Sequence, residues 1–178
     1  MIITDEKVCS DCCPTEPYEK TIEDKVDKKI FPDCYPSNLY EKIIEDGAKE
    51  NTFSAYRVSN YNVINKDTFL SSFEEFCLES GNNINRDLYY AYLDGMQNIG
   101  NFSVSFFEEK KNAEMILKLK KKYHDGPILI YGNILPQYGL SMRTCDSKSH
   151  RKAKKSHIDL WKYKDIDPSA TFSKVEVI

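Results

Sequence analysis

Apolar and polar positions change their spacing several times along this chain, and each change marks an element. Leu39, Ile43 and Ile44 recur at helical spacing and Gly47 is a natural stop, which predicts a short helix ending before Asn51. Phe53 to Val58 (FSAYRV) alternates large and small residues over a strand's length. Asp67 is placed to cap a helix whose Phe69, Phe73, Phe76 and Cys77 recur at i, i+4, i+7 and i+8, laying one aromatic face on a core that includes Cys77. Gly81 to Asn85 reads as a loop, and Asp87 to Gln97 as a helix with Leu88, Tyr92 and Met96 inward, weakened by Gly95. Phe102 to Phe107 alternates again. Glu108 and Glu109 then open a helix that buries Ala113, Ile116 and Leu117 and finishes in Lys118 to Lys122, a charge order that suits its dipole. After Gly126 and Pro127, Ile128 to Leu135 reads as a buried strand, Ser156 to Tyr163 alternates once more, and Phe172 to Ile178 closes the chain beyond a turn at Asp167-Pro168.

Strand, helix and strand in quick succession point to the α+β class, a single domain over residues 38–178 with a mixed, mostly antiparallel sheet flanked by helices. Residues 1–37 differ in texture. They hold Pro14, Pro17, Pro32 and Pro36 with few apolar residues, so an extended arm is expected, with one short helix over Tyr18 to Lys29. The arm also carries Cys9, Cys12, Cys13 and Cys34, weak candidates for a zinc site because no second Cys-x-x-Cys follows and no histidine is near. Zinc is not expected, nor is a structural disulfide if the compartment is reducing.

A chain of 178 residues with 40% apolar and 12% aromatic content suffices for one core. It contains no apolar run of about 18 residues, so no membrane association is expected, and the start MIITDEKVC lacks the features of a secretory signal, which points to the cytoplasm. The net charge of −3 conceals a basic strip made of Arg143, Lys148, Arg151, Lys152, Lys154 and Lys155. Its plain reading is a solvated loop; its functional reading is an anion or nucleic-acid site with Tyr138, Trp161 and Tyr163 as stacking candidates. Cys145 lies among those cations, which would favour its thiolate. No phosphate-binding glycine loop, zinc-protease helix or nucleophile elbow is present.

Three segments read together carry the chemistry: Ala55-Tyr56-Arg57, then Phe102-Ser103-Val104-Ser105-Phe106, then Ser156-His157-Ile158-Asp159-Leu160-Trp161. In order and spacing, residues 52–178 resemble the ADP-ribosyltransferase-like fold, with its early basic residue, its serine-containing strand followed by a helix, and its acidic residue near the last strands. The resemblance implies NAD as cofactor. Arg57 would hold the dinucleotide phosphate, Ser103 and Ser105 would brace the cleft, and Tyr56 or Tyr131 would stack on a ring. His157 would orient a ribose hydroxyl or move a proton, and Asp159 would stabilise the ribosyl cation left as nicotinamide departs. The family's usual glutamate is replaced by His157-x-Asp159, a departure that leaves transferase activity open. By analogy the role would be that of a toxin or phage-conflict effector acting on a protein target.

Each residue also has a plain reading. Arg57 pairs with an acidic neighbour, Ser103 and Ser105 are outward strand positions, His157 is half-buried and structural, and Asp159 faces water. Two further readings stand beside the transferase-like one: a non-catalytic inhibitor of a mobile element that docks on a larger protein partner, and nucleic-acid binding through residues 143–155.

Overall fold

The computed structural model describes residues 31–32, 35–80, 99–124, 126–148 and 156–176. The arm helix expected at 18–29, the loop at 81–85 and the helix at 87–97 lie outside these residues, as do Cys9, Cys12, Cys13 and Cys34. The described residues form an α+β domain with three α-helices: α1 (Leu39–Asp46), α2 (Ser72–Ser80) and α3 (Lys110–Lys120). The strands are β1 (Phe53–Ser59), β2 (Val104–Phe107), β3 (Ile128–Ile134), β4 (Gly139–Arg143), β5 (His157–Lys162) and β6 (Phe172–Lys174). They form one sheet in the order β4-β5-β2-β1-β3-β6.

Every strand pairing is antiparallel. The strand-helix-strand run β2-α3-β3 does yield two strands with the same direction, but β1 lies between them and is antiparallel to both. That insertion removes the parallel neighbours a mixed sheet would have had.

Alternation along β5 sets the two faces of the sheet, since successive side chains of a strand point to opposite sides. Ile158 and Leu160 join Ala55, Phe106, Ile130 and Phe172 in a core that Phe69 covers. Trp161, on the other face, packs with Leu140 and Met142 beneath Leu39, Ile43 and Phe73 of α1 and α2, and its Nε1 donates to the Ile99 carbonyl at 3.0 Å. Ala113 and Leu117 of α3 cover Val58 and Leu129, a separate apolar cluster. Phe31 and Tyr35, both within the segment read as an arm, are buried in the Trp161 core, and the Tyr35 hydroxyl donates to Ser71 Oγ at 2.8 Å.

Local chemistry explains where the elements start and stop. Gly47 ends α1 in the left-handed region at φ 116°, with its N–H and that of Ala48 returning to the Ile44 and Ile43 carbonyls. Ile44, expected inside, is 44% exposed because the buried stripe runs through Leu39, Ile43 and Asp46 instead. The single helix expected from Asp67 is instead two elements. Asn65, not Asp67, caps a 3-10 turn over Lys66–Phe69 in a reciprocal box with Thr68, and Leu70 then extends. A second box between Ser71 and Glu74 starts α2. Splitting the run sends Phe69 and Phe73 to opposite faces of the sheet, which one continuous helix could not do.

Phe106 forms a triangle of rings with Phe69 and Phe172, whose centroids lie 6.3 Å and 5.6 Å from its own and 5.0 Å from each other, and it is fully buried. Phe106→Ala is expected to lower unfolding stability by about 3–5 kcal/mol in a urea titration, as for other buried aromatic truncations. A loss under about 1 kcal/mol would mean that this face is not a packed core.

Candidate functional site

Two cavities lie side by side on the sheet face that carries Ser105, His157 and Asp159, where α2 and α3 leave part of the strands uncovered. The first, about 240 Å³, is lined by Arg57, Ser103, Ser105 and His157 together with Ser72, Glu75 and Lys120. The second, about 310 Å³, is lined by Ser105, His157 and Asp159 with Ser72, Thr144 and Trp161. Ser72, Ser105 and His157 belong to both walls, so the two are compartments of one groove. Small-molecule sites begin at roughly 300 Å³, a size the joined compartments exceed.

Strand register creates this convergence. Ser105 stands opposite Asp159 and Phe107 opposite His157 in the β2–β5 pairing, which puts all four on one face. Asp159 is only 4% exposed, and a buried carboxylate is costly unless its oxygens are hydrogen-bonded. Ser103 Oγ lies 2.6 Å from Oδ1, and Thr144 Oγ1 lies 2.6 Å from Oδ2. Thr144 Oγ1 also contacts His157 Nδ1. A hydroxyl has one proton, so the consistent assignment has Thr144 donating to the carboxylate and accepting from a protonated Nδ1. His157 Nδ1 is itself 3.8 Å from Asp159 Oδ2, an electrostatic distance, and its ring meets Phe107 edge-on at 5.2 Å. The result is an ordered chain from Asp159 through Thr144 to His157 on the groove wall.

Arg57 plays a different part from the one expected. It is 7% exposed and projects beside Phe106, with its guanidinium carbon 5.6 Å from the ring centroid. Nε donates to the Thr68 carbonyl at 2.6 Å, Nη1 to Ser105 at 3.0 Å and Nη2 to Leu70 at 3.0 Å. Three of its five N–H groups are thus spent on backbone, and the fork is not open for bidentate phosphate binding. Burial lowers its pKa to about 10 against the fields of Glu75 and Glu74, which leaves it charged at neutral pH.

Tyr56 does not line either compartment; it pairs with Tyr131 across β1 and β3 at a ring separation of 4.5 Å. The basic strip is also partly spoken for. Arg143 grips Glu108 with Nε and Nη2, both at 2.8 Å, and Lys148 Nζ donates to the Glu45 carbonyl near the end of α1. Arg151, Lys152, Lys154 and Lys155 lie outside the described residues. The three stacking candidates are buried: Tyr138 bonds Thr171, Trp161 is in the core, and Tyr163 bonds Glu50. Among the described residues no group of three or more His, Cys, Asp or Glu side chains is gathered to hold a metal.

Cys77 packs against the Trp161 core, and burial raises its pKa. Cys145 departs from expectation. Desolvation and Asp146 raise its pKa and outweigh the lowering by Arg143, so that arginine does not make it a ready thiolate. No protein-family model, curated protein or solved structure matches the chain.

The pattern reading found Ser103, Ser105, His157 and Asp159 but missed Thr144, Ser72 and Lys120. Thr144→Val, which removes the donor to Oδ2, is expected to cost about 1–3 kcal/mol in denaturant unfolding, and Thr144→Ser to recover most of it. Equal stability of the valine and serine variants would contradict the relay. Alkylation of Cys145, read by peptide mass spectrometry, is expected to be slow at pH 7 and to climb about tenfold per pH unit while the thiol remains below its pKa. A fast, pH-independent rate at pH 7 would contradict the raised pKa.

Proposed function

We propose that the groove binds an oxidised nicotinamide dinucleotide and that the chain is an ADP-ribosyltransferase-like protein. The observation that supports this reading is the convergence of Ser103, Ser105, His157 and Asp159, from β2 and β5, on one groove with Arg57 at its end. These are the residues to which the resemblance assigns cofactor and catalytic roles.

The geometry divides those roles further. His157 meets the ligand, on a wall shared by both compartments, where it can hydrogen-bond a ribose hydroxyl. Asp159 is a positioning residue acting through Thr144, which holds His157 in one tautomer. Its negative charge also lies where positive charge would build on a ribose whose bond to nicotinamide lengthens, and a site with little water strengthens that attraction. Because both Asp159 oxygens already accept from hydroxyls, the function proposed is binding of the dinucleotide, with no transfer step assigned.

Isothermal titration of the folded protein with oxidised nicotinamide dinucleotide tests this. Binding is expected, weakened at least tenfold in His157→Ala, with the variant's thermal unfolding used to show that it remains folded. Absence of heat with the wild-type protein, or equal affinity in a folded variant, would overturn the reading.

A further inference from the structure

With Arg57 committed to three carbonyls, the first compartment still holds a second cation. Lys120, in the last turn of α3, is half-buried on the compartment wall, and its ammonium has no hydrogen bond or ion pair among the described residues. Its surroundings are those of an anion site. The Ser72 and Ser105 hydroxyls line the same space and likewise have no hydrogen-bond partner among the described residues. Ser72 is also the first residue of α2, whose amino-terminal end brings partial positive charge to the wall. Arg57 stands behind as a fixed charge. Glu75 is the one acidic residue in the lining, set against two cations.

We propose that the first compartment is a phosphate subsite in which Lys120 is the anchoring cation, Ser72 and Ser105 are hydroxyl donors, and Arg57 supplies positive charge from beneath. The inference deepens the dinucleotide reading by naming the part of the ligand this compartment takes. It moves the phosphate contact from the β1 arginine to a lysine on α3. The electrostatics agree: burial and the nearby Arg57 both lower the Lys120 pKa and Glu75 raises it, so an anion held between the two cations would offset their repulsion. A compact ammonium on a flexible stem also suits a compartment of about 240 Å³ better than a second rigid fork would.

Titration with inorganic pyrophosphate, alongside orthophosphate and oxidised nicotinamide dinucleotide, tests the subsite in the full-length protein. Pyrophosphate is expected to bind, at least tenfold more weakly in Lys120→Gln, and unchanged in Lys118→Gln, an exposed lysine of the same helix outside the compartment. Nicotinamide riboside, which has no phosphate, is expected to be indifferent to Lys120→Gln. Lys120-dependent pyrophosphate binding without dinucleotide binding would uphold the subsite and overturn the dinucleotide reading. Orthophosphate binding as tightly as pyrophosphate would uphold the subsite and assign it to free phosphate. No pyrophosphate binding, or equal affinity in Lys120→Gln, would overturn the subsite whatever the dinucleotide does.

Discussion

A guanidinium taken out of water must find its hydrogen bonds inside the protein, and Arg57 finds three of them on carbonyls that no regular ladder would bring together. Thr68 and Leu70 belong to the connection between β1 and α2, and Ser105 belongs to β2. The one side chain therefore ties a strand, its neighbour and the crossing segment into one junction. Glu74 and Glu75, in the first turns of α2, offset part of the cost of burying the charge. From this junction Phe69 drops into the core on one side of the sheet, and α2 sets off across the other with Phe73 beneath it.

The groove is the space that this arrangement leaves. α2 covers the β4–β5 end of its face and α3 covers β1, β3 and the Phe107 end of β2, and the groove lies between the two helices over Ser105 and Asp159. Polar residues occupy the uncovered stretch, and the most buried of them is explained by what it bonds. Asp159 is tolerated there because Ser103 and Thr144 each satisfy an oxygen, and Thr144 in turn fixes His157. A strand residue whose only duty was to face water would need no such support.

Much of this was legible in the chain's pattern, and the exceptions have physical causes. Strands β1, β2 and β5 follow directly from alternation, β3 from its apolar run, and α3 from its buried Ala113 and Leu117. The short strand β4 went unread although Leu140 and Met142 alternate, because five residues behind a glycine give little periodic signal. It is this strand that delivers Thr144 to the site. The helix expected from Asp67 failed because capping by Asn65 and by Ser71 competes with a continuous run, which spacing of aromatic residues cannot reveal. Arg57 was identifiable as special, but its role depends on carbonyls from distant backbone. Tyr56, its neighbour in sequence, shares the Phe107 face of the sheet, yet it is taken up by Tyr131 and the cluster under α3 and does not reach the groove. Lys120 looked like one member of a lysine run whose charges suit a helix end; only its place beside Arg57 distinguishes it.

On the reading proposed, the polar stretch between α2 and α3 is a ligand site for a nicotinamide dinucleotide, not a solvated seam. A titration followed by amide chemical shifts in isotope-labelled protein tests it most directly, because each backbone position reports separately. Binding in the groove is expected to give progressive, saturable shifts at Ser72, Ser105, Lys120 and His157, with Tyr131 and Thr171 unmoved. Shifts confined to other surfaces, or none at saturating ligand, would contradict it.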